Sequence, residues 1–117
     1  MRLNEITYTN AVPVDGYGPG FFRVGGVAHE GPLLVWDRGR ADWGGLDDVE
    51  TLLSMAGTVD VLFIGTGAET AHLPAGLRAQ LEEAGLGVDA MNSPSACRTY
   101  NVLLSEGRRV ALAALPV

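Results

Sequence analysis

Apolar residues recur along the chain in several rhythms, and each predicts a different element. Leu46, Val49, Leu52, Leu53 and Ala56 fall at three- and four-residue steps, which predicts an amphipathic helix over residues 46–56. Asp47, Asp48 and Glu50 complement its positive end, and Gly57 stops it. Val59, Val61, Leu62, Phe63 and Ile64 form an apolar run without alternation, as in a central strand covered on both faces, and Gly65-Thr66-Gly67 ends it. Pro74 opens a second predicted helix in which Leu77, Leu81 and Ala84 share a face and Gly85 suits the position after the end. Leu86, Val88 and Met91 follow as a strand. Ser93-Pro94 then reads as a helix start, the hydroxyl accepting free backbone N–H groups and the proline standing where no donor is needed. Ala96, Tyr100, Leu103 and Leu104 line one side as far as Gly107, and residues 110–115 read as a final buried strand.

The first half carries shorter signals. Leu3, Ile6, Tyr8 and Thr9 predict an edge strand over residues 3–10, and Asp15-Gly16-Tyr17-Gly18-Pro19-Gly20 predicts a compact turn. Residues 21–24 and 32–36 read as two short antiparallel strands about a glycine-rich segment, with a bulge or small extra strand at Val27. Residues 37–45 read as a loop that carries Trp43 towards the body of the protein. Together these elements predict an α/β fold, with N-terminal antiparallel strands and a C-terminal β-helix-β-helix-β unit that crosses over right-handed. One domain over residues 1–117 is expected, since neither half has enough apolar residues to stand alone.

Composition narrows the functional classes. Hydrophobic residues make up 47% and charged residues 19%, with 16 glycines, which suits a packed core joined by tight turns. A net charge of -6 argues against nucleic acid as a partner; Arg38, Arg40, Arg108 and Arg109 come closest to a basic patch, with acids near both pairs. The start of the chain lacks a secretory pattern and no apolar run reaches a membrane span, so cytoplasmic residence without membrane insertion is expected. The single cysteine, Cys97, excludes an internal disulfide.

Several residues invite a chemical reading. Gly65-Thr66-Gly67, with Thr70 and Asp89 further on, partly echoes a dinucleotide-binding fingerprint, but Thr70 replaces the third glycine and the helix starts too late. A smaller site for an anion is the better candidate: N–H groups of the 65–67 loop and of the helix after Ser93 would converge at the strand ends. The candidate ligand-binding set is Gly65, Thr66, Gly67, Ser95, Cys97 and Arg98. The helix field would favour a Cys97 thiolate, yet neither His29 nor His72 is required by spacing to serve as its base, and Cys97 also fits a half-buried packing position. Arg98 lies opposite the apolar arc, facing solvent, a carboxylate or a ligand. The histidines and aspartates form no metal-binding pattern, so no metal, cofactor or catalytic residue is expected. Phe21, Phe22, Trp36 and Trp43 serve core and anchoring roles, and an exposed subset would make a protein-docking patch.

Residues 95–110, running from Ser95-Ala96-Cys97-Arg98-Thr99-Tyr100-Asn101 to Val110, resemble the closing motif of a small domain family of unknown biochemical function. That family includes the mitochondrial complex I assembly factor 3 and an adipogenesis-associated protein. Gly16-Tyr17-Gly18 with Phe22-Arg23-Val24 looks like its opening motif, and Leu62-Phe63-Ile64-Gly65-Thr66-Gly67 like its central strand and turn. The resemblance implies a three-layer α/β fold around a mixed central sheet, the last strand antiparallel to its neighbours, and a polar pocket near Gly65, Thr66, Gly67, Cys97 and Arg98. It also implies a compact prokaryotic member, since the chain begins almost at its first strand without a basic transit segment. The expected role is a non-catalytic protein-interaction or assembly-related one, with a protein partner. The alternative is a binder of a small anion, or a minor enzyme, and a homo-oligomer stays open.

Overall fold

The computed structural model describes residues 12–117; the strand expected over residues 3–10 lies outside the described residues. The N-terminal part forms an antiparallel meander of β1 (Val14–Gly18), β2 (Phe21–Val24) and β3 (Val27–Glu30). Residues 15–18 are therefore strand rather than turn. Only Pro19-Gly20 reverses the chain, proline fixing the first central position and Gly20 taking φ +81° at the second. A register shift between Val14 and Gly16 bends β1. The next reversal uses Gly25 and Gly26 at φ +58° and +82°, the two positive values that a two-residue hairpin of the right twist needs.

The second sheet contains β4 (Leu33–Trp36), β5 (Gly39–Asp42), β6 (Val61–Gly65), β7 (Gly87–Met91) and β8 (Val110–Ala114), in the order β5-β4-β8-β6-β7. The segments expected to pair across the glycine-rich stretch are both strands, but in different sheets. Phe21–Val24 pairs with β1 and β3, whereas Leu33–Trp36 pairs with β5 and β8. The 37–45 loop also holds a strand, β5, because Asp37 and Arg38 make a tight hairpin with β4. The sheet is mixed: β8 runs antiparallel to β4 but parallel to β6, so the last strand is antiparallel to one neighbour only. The helical crossover from β7 returns β8 in the direction of β6.

Among the described residues three helices complete the fold: α1 (Val49–Leu53), α2 (Leu77–Glu83) and α3 (Ser93–Ser105). The first is shorter than its apolar periodicity predicts, because Asp48 caps it by accepting from the Thr51 N–H, and Ala56 leaves to bridge with Val59. The second starts three residues past Pro74, whose carbonyl accepts the Leu77 N–H in a turn that leads into the Gly76 cap.

Alternation in β8 divides the core. Val110, Leu112 and Ala114 face one cluster with Phe63 of β6 and with Ala96, Cys97, Tyr100 and Leu104 of α3. Ala111 and Ala113 face the other, with Leu62, Ile64, Leu52 of α1 and Leu77 and Leu81 of α2. The result is helix, mixed sheet, helix. The small meander joins the α3 side through Val14, Phe22 and Val24. Polar tethers fix it there: Tyr100 Oη donates to the Val12 carbonyl at 2.9 Å, and the Asn101 amide both accepts from the Val14 N–H and donates to the Val14 carbonyl, each at 2.9 Å.

Candidate functional site

The chain leaves β6 towards α2 on one face of the sheet and leaves β7 towards α3 on the other. This divergence opens a crevice at the carboxyl ends of the strands, where α/β proteins bind ligands. The 65–67 loop and the start of α3 meet there, as their sequence positions suggest. In this protein the chain itself fills the crevice.

Ser93 is the hub. It is 1% exposed, and its Oγ accepts the Gly67 N–H at 2.9 Å while donating to the Leu115 carbonyl at 2.6 Å. The Ser93 N–H donates to the Gly67 carbonyl at 2.7 Å, the Leu115 N–H to the Gly65 carbonyl at 2.9 Å, and the Thr66 N–H to the Met91 carbonyl at 2.9 Å. Gly65 is needed for this approach, since a Cβ there would lie 2.6 Å from Ser93 Oγ and 2.9 Å from its Cα. Thr66 Oγ1 donates to the Glu69 carbonyl at 2.7 Å and accepts the Ala71 N–H at 3.1 Å, which folds the following loop. The loop glycines permit close approach, as a phosphate cradle requires, but what approaches is a serine of the same chain.

Ser93 does not cap its own helix. Asn92 does, with Oδ1 accepting the Ser95 N–H at 2.8 Å, and Pro94 stands in the first turn where it displaces no bond. Of the remaining candidates, Ser95 and Arg98 pair with each other one turn along α3, Nη2 donating to Oγ at 3.2 Å, and Arg98 is exposed. Cys97 points into the core. Burial pushes its thiol up to about 11, with the Arg98 charge opposing only in part, so of the two readings of this position it is packing, and not a thiolate favoured by the helix field, that the structure bears out. Tyr100, in the same cluster, is raised further by burial.

His72 is exposed on the loop that follows Thr66. His29 lies in β3, with Nε2 3.2 Å from the Pro32 carbonyl and 3.4 Å from the Asp42 carboxylate. Among the described residues no group of three or more His, Cys, Asp or Glu is placed to hold a metal ion. The residues that sequence reasoning underrated are Asn92, Ser93 and Asn101, each a backbone-binding polar side chain. The Asn-Ser-Pro run marked the helix start without showing which residue would cap it.

Fold and crevice together define a small three-layer α/β protein whose glycine loop is closed by a serine-centred clasp. The chain belongs to the family described as "Protein of unknown function (DUF498/DUF598)", whose model matches residues 14–115. It is similar to an uncharacterised protein of Rhodobacter capsulatus, at 50% identity over 117 residues, covering 100% of this chain and 94% of that one. It is 31% identical over 107 residues to the NADH dehydrogenase [ubiquinone] 1 alpha subcomplex assembly factor 3 of Danio rerio; the match takes in 86% of this chain and 62% of that longer protein. In structure it is similar to an outer membrane protein from Bartonella henselae, with a TM-score of 0.82 at 36% identity, covering 92% of this chain and 97% of that one.

Proposed function

We propose that this chain is a non-catalytic protein-interaction domain, one folding unit with an assembly-related role, whose target is a protein rather than a substrate. The observation that carries this is the closed crevice: the loop N–H groups of Thr66, Gly67 and Ser93 have acceptors within the chain, and the neighbouring thiol is buried and protonated. The likeness to an assembly factor supports it.

The outer face of the meander offers the contact surface. Phe21 is half-buried there, its ring occupying the space above Gly18, where a Cβ would lie 2.5 Å from Phe21 Cε1. Pro19, Arg23, Ala28 and Glu30 surround it in a shallow depression of about 460 Å³. Tyr17, 44% exposed on β1, pairs with Phe22 and so stands on the other face of the meander, outside this surface. An aromatic ring bordered by charges of both signs suits a protein partner with a mixed apolar and polar surface.

The test is quantitative capture from cells of the native source, using wild type, a Phe21→Ser/Arg23→Ser double variant on the outer face and Val102→Ser, an exposed apolar position on α3. One defined protein retained in stoichiometric amount by wild type and Val102→Ser, and lost by the double variant, is expected. Equal capture by all three, or none by wild type, overturns the proposal. A lone buried thiol suits the reducing cytoplasm, whereas the Bartonella relative bears a membrane name. Recovery in the soluble cytoplasmic fraction is expected, and recovery with washed membranes contradicts that placement.

A further inference from the structure

Beyond the clasp, the loop leading to α2 borders a depression of about 380 Å³ that neither the clasp nor the meander uses. Thr70, His72, Pro74, Gly76, Arg78 and Ala90 are among its lining residues. In a chain of net charge -6 the walls of this depression contain no acid at all. Glu69, Glu82 and Asp89 are near in sequence, but none lines it, and among the described residues no carboxylate pairs with Arg78.

The arginine is also held in place. Arg78 Nη1 donates to the Val88 carbonyl at 2.6 Å, on the outer edge of β7, which fixes the guanidinium and leaves its other N–H groups for a ligand. Thr70 Oγ1 accepts the Asn92 N–H at 3.1 Å, tying the opposite wall to the end of β7. The depression therefore has two anchored walls, a fixed planar cation and an exposed imidazole. We propose that it is a binding site for a small oxyanion, a carboxylate or a phosphate, with Arg78 as the charged anchor and His72 as a second donor. Guanidinium N–H groups held in one plane match the oxygens of either anion. This site is distinct from the clasp and does not depend on the protein-partner role.

The experiment is a titration of the isotope-labelled chain with inorganic phosphate, and in parallel with acetate, at low chloride, followed by amide NMR shifts. Saturable shifts confined to residues 70–78 and Ala90 with either anion are expected, and the preferred anion identifies the ligand class. Arg78→Ala is expected to weaken binding about tenfold or more. His72→Ala, a change on an exposed loop that leaves the fold alone, is expected to weaken it several-fold, and Arg98→Ala to leave it unchanged. Linear shifts spread over Arg98, Arg108 and Arg109 with both anions, or unaltered titration of both the Arg78 and His72 variants, overturn the proposal.

Discussion

Removing one oxygen at Ser93 tests whether the crevice is a clasp. Ser93→Ala leaves the Gly67 N–H without its acceptor and the Leu115 carbonyl without a donor, at bonds of 2.9 and 2.6 Å. Each buried group left unsatisfied costs about 1–3 kcal/mol. Leu115 is half-buried, so water recovers part of the second loss, and the total comes to about 2–4 kcal/mol. For a chain of 117 residues that corresponds to a fall in Tm of roughly 8–15 °C. Urea unfolding followed by far-ultraviolet circular dichroism reads the change as a lower midpoint at constant slope. Ser95→Ala, which removes only a contact with exposed Arg98, should stay within about 0.5 kcal/mol of wild type. Gly65→Ala should cost about 1–3 kcal/mol by overpacking against Ser93, and the double variant less than the sum, since the missing Oγ relieves part of the clash. A Ser93→Ala loss below about 0.5 kcal/mol would refute the clasp.

Three further outcomes follow from the same geometry. Asn101→Ala removes both hydrogen bonds to Val14 and should accelerate hydrogen exchange at the Val14 amide at least tenfold, while leaving Leu112 in the central sheet protected; unchanged Val14 exchange contradicts the tether. The Asp48 carboxyl is lowered from 3.8, first by the Thr51 hydroxyl and then by the Gly44 N–H. Its contribution is present at neutral pH and lost as pH falls below 3.8 through the folded value. Asp48→Asn should therefore be less stable than wild type at pH 6, with the gap narrowing in acid; a constant gap down to pH 2.5 denies the charge a role. Cys97 has the opposite sign: its raised folded value means that stability is complete below 9.0 and declines as pH rises through about 11. Alkaline unfolding of Cys97→Ala should lack that share of the decline, and superimposable curves would contradict it.

Periodicity made the C-terminal half legible. The unbroken run at Leu62, Phe63 and Ile64, and the arc of Ala96, Tyr100 and Leu104, are core positions because a doubly covered strand and a one-sided helix leave different imprints. The first half was less legible. Its four-residue strands are too short to show alternation, and the glycines of β1 suit a turn as well as a strand whose open face receives the Phe21 ring. Pairing partners were hidden for the same reason: local pattern finds β2 and β4 but not that they lie in separate sheets. At the crevice, sequence reading correctly joined the 65–67 loop to the start of α3. It did not show that Ser93 and the backbone at Leu115 occupy the space between them, because that contact spans 22 residues and depends on β8 lying beside β6.

The central claim is that the residues around Ser93 and Cys97 maintain the fold and do no chemistry. The rate at which Cys97 reacts with iodoacetamide in the folded protein, followed from pH 7 to 11, tests it most directly. The structure predicts slow reaction at pH 8, with an apparent thiol value near 11, and fast reaction once the chain is unfolded in urea. Rapid alkylation of the folded chain, with an apparent value below that of an ordinary thiol, would contradict the claim and place a nucleophile beside the loop.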